Sequence, residues 1–217
     1  MNKTALLLGA TGLTGEQCLL GLLASERYSK VTVVVRRPLS LSHPKLHTVL
    51  TDFKNITSIQ AELKADDVFC CLGTTIAKAG SQEAFRWVDF DIPEQIAERA
   101  VAQGAQQFIL CSSMGADAGS AIFYSRVKGE LEQAVSNMGF KAVHIFRPSI
   151  LLGDRKEQRT GEAIGRFAAE KLSFLFAGPF KKYAGTPVKV LAKKMIEAAA
   201  QNTSGIQIHE NDEILAA

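Results

Sequence analysis

The chain has 217 residues, 47% of them apolar, and a formal net charge of +3. That length suits one large domain or a core domain with a small appendage, and the apolar share excludes a disordered chain. The surplus lysines and arginines are dispersed, as in FKKY and LAKK, which excludes the basic stripe of a nucleic-acid binder, and no apolar run is long enough to span a bilayer.

The chain opens with KTALLLGATGLTGEQCLL. Thr4 to Leu8 read as a buried strand and Leu13 to Leu23 as an amphipathic helix, so the glycines between them form a strand-to-helix turn. Such a turn exposes the first N–H groups of the helix at the positive end of its dipole, where an anion binds. Gly9 would make the tight turn, Gly12 would let a pyrophosphate approach the backbone, and Gly15 would let helix and strand pack closely. The candidate dinucleotide contacts are Gly9, Thr11, Gly12, Leu13, Thr14 and Gly15; an ordinary tight turn is the plainer alternative. Because residues 1–20 are assigned to this strand and helix and not to a signal peptide, the expectation is a soluble, cytoplasmic protein.

A second strand, VTVVV (31–35), ends in Arg36 and Arg37. An acidic residue in that place accepts hydrogen bonds from the adenosine ribose of NAD, whereas two guanidiniums clamp a 2′-phosphate, so NADP(H) is expected in preference to NAD. Solvated arginines at a strand end are the other reading. The third strand, LHTVL (46–50), precedes Asp52, a candidate acceptor for the adenine amino group. The fourth, DVFCCLG (67–73), brings Leu72, Gly73 and Thr74 to where a backbone must pass close to a ribose.

Ile92 to Gln103 has helical periodicity and is closed by a glycine; the strand QFILCSS (107–113) follows. Next, IFYSRVKGELEQA places Tyr124 and Lys128 one turn apart on a helix running to Met138. A tyrosine is a poor acid or base at neutral pH, but a neighbouring ammonium stabilises its phenolate, which makes proton transfer at a carbonyl or carbinol oxygen feasible. The same lysine can hold the nicotinamide ribose. The sixth strand is AVHIFRP (142–148); from about residue 150 the alternation of strand and helix breaks down.

Continuous apolar strands separated by helices predict an α/β, doubly wound Rossmann-type parallel sheet, a single domain over 1–217 with a small C-terminal cap region at 153–187 on the substrate side. Ligands of such sheets bind at the carboxyl ends of the strands. Within the cap, Arg155 and Arg159 would bind a substrate anion or form surface ion pairs, and Phe174, Phe176 and Tyr183 are assigned to the core. Cys18, Cys70, Cys71 and Cys111 show no paired framework and read as small buried hydrophobes. His43 and His47 flank Pro44 and do not make a helical ligand pair, so no metal site is expected.

Taken in order, GATGLTG, SSMGAD, YSRVK and FRPSILLGDR resemble an atypical short-chain dehydrogenase/reductase. CCLGTT, SSMGADAGSAIFYSRVKGELE and RPSILLGDRKEQRTGE narrow the resemblance to the branch of the HIV Tat-interacting protein and its small bacterial relatives, over roughly residues 4 to 200. The resemblance implies a Rossmann fold, NADP(H) binding, a Tyr124–Lys128 pair, and a nicotinamide contact at Arg147, Pro148, Ser149 and Ile150. It supplies no substrate. Two positions depart from the family pattern: Met114 stands where a serine or threonine often polarises the substrate carbonyl, leaving Ser113, or else Ser112, for that role, and Asp89 stands where an asparagine is usual.

Three functions follow. The leading one is an NADP(H)-dependent oxidoreductase moving a hydride to or from a small carbonyl or alcohol, with Tyr124 as acid or base, Lys128 tuning it and binding ribose, and Ser113 orienting the carbonyl. The others are an NADPH-sensing regulator that binds a protein partner without turnover, and a sugar-nucleotide epimerase. A homo-oligomer is compatible with all three.

Overall fold

A computed structural model describes residues 3–153, 183–201 and 203–216. Its centre is a seven-stranded, wholly parallel sheet. In chain order the elements are β1 (Lys3–Leu8), α1 (Leu13–Ala24), β2 (Tyr28–Val35), β3 (Leu46–Leu50), a 3₁₀ segment (Ile56–Leu63), β4 (Asp67–Cys70), α2 (Ile76–Ala79), α3 (Gln82–Arg86), a π turn (Trp87–Asp91) and α4 (Ile92–Ala102). They continue with β5 (Gln107–Cys111), α5 (Phe123–Ser136), β6 (Ala142–Arg147), β7 (Leu151–Leu152), β8 (Thr186–Pro187), α6 (Val188–Ala200), β9 (Gly205–Glu210) and α7 (Asn211–Ile214). The sheet order β3-β2-β1-β4-β5-β6-β9 reverses direction between β1 and β4, the crevice where this architecture binds its ligands.

Both sheet faces are buried, which is why the strands read as unbroken apolar runs. On one face Leu6, Leu8, Val68, Cys70, Phe108 and Leu110 pack with Phe85, Ile96, Val127 and Leu131 from α3, α4 and α5. On the other Leu7, Val33, Phe69 and Ile109 meet Cys18 and Leu22 of α1 and Leu191 and Met195 of α6. Buried Asp67 ties the amino-terminal edge together: it takes hydrogen bonds from Lys3 (2.8 Å), the Tyr28 hydroxyl (2.8 Å) and Gln107 (3.0 Å).

The expected doubly wound α/β fold is therefore present, with one strand more than the sequence suggested. β9 is an edge strand in which Ile206 and Ile208 are exposed and alternate with polar residues, so it lacks the apolar run that marked the others. Tyr183, assigned to the core, is half exposed. Arg155, Arg159, Phe174 and Phe176 lie outside the described residues. The cysteines are free thiols, and burial pushes Cys70 up to about 11 and Cys111 up to about 12, so neither is a nucleophile at neutral pH.

β9 carries one consequence for stability. His144, fully buried on β6, shares a 3.1 Å hydrogen bond with His209 on β9 and a second with the Thr203 hydroxyl. Burial, then the His209 charge, pushes His144 down to about 4 against an opposing pull from Asp67; burial also lowers His209, opposed by Glu213. Both folded-state values lie below those of a free histidine, so on acidification the unfolded chain takes up protons first. Their contribution is complete above about pH 6.5 and is lost as pH falls towards 4. The urea midpoint should fall across that window, and His209→Gln should flatten the dependence; an unchanged slope contradicts this account.

Candidate functional site

The three glycines of the first turn do different things. Gly9 has φ +79°, and a Cβ there would lie 2.4 Å from the Cys71 carbonyl oxygen, so it must be glycine for the β4 exit to pass. A Cβ on Gly15 would lie 2.0 Å from the Gly9 carbonyl oxygen, which makes its constraint one of packing. Gly12 has neither constraint: its φ is −85°, and an added Cβ would meet only the Gly9 oxygen, at 3.3 Å. It is the N-cap of α1, and no side chain caps that helix. The leading amides of a twelve-residue helix thus face open space at the carboxyl end of β1, with Thr11 and Gly12 exposed, Leu13 half-buried and Thr14 buried. That cradle, capped by no side chain among the described residues, fits a pyrophosphate.

Arg36 and Arg37 are exposed where the chain leaves β2, and neither makes an ion pair among the described residues. Asp52 is exposed beyond β3 and accepts from the Lys54 backbone N–H at 2.9 Å. The β4 exit connects these groups to the other half of the crevice. Cys71 and Leu72 pack against Gly9, and a Cβ on Gly73 would lie 3.2 Å from Asp89 Oδ1 and 3.5 Å from Lys128 Nζ.

Lys128 is buried on α5 with its ammonium 2.9 Å from Asp89 Oδ1; the Thr74 backbone N–H donates to the other Asp89 oxygen at 2.8 Å. Burial alone would lower the lysine's pKa, but the Asp89 charge, helped by Tyr124, outweighs it and leaves the value raised, so the ammonium stays charged. Asp89 is delivered by the π turn that joins α3 to α4, an irregularity typical of functional positions. Tyr124 lies one turn before Lys128, half-buried, with its ring 5.6 Å from that of Phe85.

A second cluster lies one turn further along α5. Glu132 is buried and accepts hydrogen bonds from the Ser112 hydroxyl and, at 2.6 Å and 3.2 Å, from two nitrogens of Arg147. Arg147 also reaches Glu210 on β9 at 2.9 Å. Its guanidinium is thus committed to carboxylates, and within 147–150 Pro148 is buried, Ser149 half-buried and Ile150 exposed. The Ser149 N–H is held by Thr186 and Asn211, and the Pro148 carbonyl accepts from Met114. Of the two serines, Ser112 is tied to Glu132, whereas Ser113 makes only a 3.3 Å contact with the Met114 carbonyl.

The sequence reading did not find Glu132, Gly129 or the partner of Asp89. Glu132 had a signal, as the third member of the stripe Tyr124, Lys128, Glu132 at four-residue spacing. Gly129 lets the Asp117–Ala118 backbone cross α5 beside Lys128, since a Cβ there would lie 2.1 Å from the Ala118 nitrogen.

The sequence profile of NAD(P)H-binding proteins matches residues 9–169. The chain belongs to the NAD(P)H-binding family. Within this family it is 36% identical to Protein HTATIP2 of Rattus norvegicus over 99% of this chain and 88% of that protein. It is 34% identical to Protein FMP52-1, mitochondrial, of Scheffersomyces stipitis, over 90% of this chain and 83% of that one. Among solved structures, MoeE5 in complex with UDP-glucose and NAD has the same fold, with a TM-score of 0.70 at 17% identity, over 94% of this chain and 74% of that chain. The resemblance read from the motifs is thereby shown, and the architecture is an NAD(P)H-binding, oxidoreductase-like one. The expected cytoplasmic location does not stand. It rested on residues 1–20 forming a strand and a helix, yet further fungal relatives at 36–38% identity are, like FMP52-1, named as mitochondrial proteins. No helix among the described residues is long and apolar enough to cross a membrane.

Proposed function

We propose that this NAD(P)H-binding protein is an NADP(H)-dependent oxidoreductase acting on a small carbonyl or alcohol. The observation that carries the reading is the continuity of the crevice: the uncapped glycine turn abuts the β4 exit, and that exit, at Gly73, abuts the ammonium of Lys128, one turn from Tyr124. Bound NADP(H) supplies or accepts the hydride. The amides from Leu13 to Gly15 hold the pyrophosphate, the Gly12 N–H being spent on the Gly9 carbonyl at 2.9 Å; Thr11, Gly12 and the Thr14 side chain shape its bed, and Leu72 to Thr74 line the ribose. Asp52 serves the adenine. Lys128 Nζ binds the nicotinamide ribose and stabilises negative charge on Tyr124, whose hydroxyl gives a proton to the carbonyl oxygen during reduction and takes one from the alcohol during oxidation. Ser113, the more weakly held serine, orients that oxygen. Pro148 to Ile150 face the nicotinamide, while Arg147 acts from behind by holding Glu132 and Glu210. The segment 153–187 is the substrate cap of the single domain in this reading; its residues 154–182 lie outside the described residues.

The preference for NADP(H) rests on Arg36 and Arg37, exposed and without carboxylate partners among the described residues. Replacing both by alanine should remove most of a preference for NADPH over NADH, since each charge-assisted contact contributes about 1.5–3 kcal/mol before non-additivity. Calorimetric titration of both nucleotides checks this; equal affinities in the unsubstituted protein contradict it. Activity is tested by NADPH oxidation against aldehydes, ketones and quinones. A sugar-nucleotide epimerase is the second reading, suggested by the fold that the chain shares with MoeE5 in complex with UDP-glucose and NAD.

A further inference from the structure

Asp89 and Lys128 form the most deeply buried ion pair of the crevice, with side chains 1% and 6% exposed. Both carboxylate oxygens are committed, one to the ammonium and one to the Thr74 N–H, so the charge is fixed in place. Of the described groups around the pair, Glu210, half exposed to solvent, is the one whose charge is not matched. Cys70 and Cys111 are held as thiols by burial, and Glu132 is matched by Arg147. Asp89 and Lys128 therefore carry no net charge as a pair, and only a group nearer the ammonium than the carboxylate, as the Tyr124 hydroxyl is in the proposed mechanism, feels its positive end; an uncharged residue at position 89 would leave an uncompensated ammonium in a low-dielectric site.

That difference bears on one property of a nicotinamide cofactor. The oxidised ring carries a positive charge and the reduced ring does not. A bare ammonium at the ribose would repel the oxidised form selectively, by an interaction that low dielectric strengthens. We propose that Asp89 sets the balance between oxidised and reduced cofactor: by cancelling the Lys128 ammonium it lets NADP⁺ bind without a penalty relative to NADPH. The site would then work in either direction and release neither form preferentially. This rests on the reading that Lys128 holds the nicotinamide ribose, and it makes Asp89 a positioning and specificity residue, not a proton carrier.

The test is the ratio Kd(NADP⁺)/Kd(NADPH), measured by calorimetry on the full chain without substrate. Asp89→Asn keeps the shape and an acceptor for the Thr74 N–H while removing the charge. It should raise the ratio roughly tenfold, the order expected for unit charges interacting through a protein interior. Asp89→Glu should return it towards the unsubstituted value. A purely structural role would weaken both nucleotides equally and leave the ratio where it was. Should Asp89→Asn fail to fold, Lys128→Gln provides the opposite change, leaving the carboxylate on the Thr74 N–H and lowering the ratio. An unchanged ratio in the folded variants overturns the proposal. If the unsubstituted protein binds neither nucleotide, the NADP(H) reading falls, and this inference with it.

Discussion

A Gly12→Val protein should fold and fail to bind NADPH. Gly12 sits in extended backbone that a β-branched residue adopts without strain, and a Cβ there meets nothing closer than the Gly9 oxygen at 3.3 Å. The fold asks little of glycine at this position, since the Gly9 carbonyl need give by only a few tenths of an ångström; the valine methyls would instead fill the space in front of the α1 amides. Losing two or more phosphate–amide contacts at about 1.5–3 kcal/mol each should weaken binding by more than roughly 100-fold. Gly15→Ala is the informative contrast, because its Cβ would run into backbone at 2.0 Å and so damages the turn itself. Circular dichroism and calorimetry separate the two cases. A folded Gly12→Val protein with normal affinity would make the turn a purely structural feature.

Tyr124→Phe should leave NADPH affinity intact and lower turnover by roughly 10²- to 10⁴-fold, the usual contribution of a positioned acid–base group. In the proposed mechanism the phenol faces the reacting oxygen and not the pyrophosphate, so binding and chemistry should separate at this residue. They do not separate at Lys128. In that mechanism its ammonium serves ribose and tyrosine together, and Lys128→Met also strands the buried Asp89 carboxylate, so affinity and turnover should both fall. A substrate reduced as fast by Tyr124→Phe as by the unsubstituted protein would rule out the mechanism. NADPH-dependent capture of a protein partner with no turnover would favour the sensor.

The parts of the fold that the sequence made legible are those with a single strong local signal. Six strands showed as unbroken apolar runs because both sheet faces are covered, and Gly9, Gly12 and Gly15 stood out at a junction where side-chain-free positions are scarce. β9 was missed because an edge strand with Ile206 and Ile208 in solvent carries no such run. Asp89 could be noted as a departure, but its role depends on a π turn, and that turn is a product of α3 and α4 packing against α5, not of local propensity. Arg147 shows the same limit. Its place in the chain suggested a cofactor contact, whereas its actual partners are a glutamate on α5 and another on a strand that had not been recognised.

The central claim is that the glycine turn and the Tyr124–Lys128 pair serve one dinucleotide. A crystal structure with NADPH bound tests it most directly. The account predicts the pyrophosphate on the amides after Gly12, the 2′-phosphate between Arg36 and Arg37, the ribose hydroxyls on Lys128 Nζ and the nicotinamide ring facing the Tyr124 hydroxyl. A nucleotide bound with its nicotinamide half turned away from Tyr124, or with its pyrophosphate elsewhere than on the first turn of α1, would contradict it.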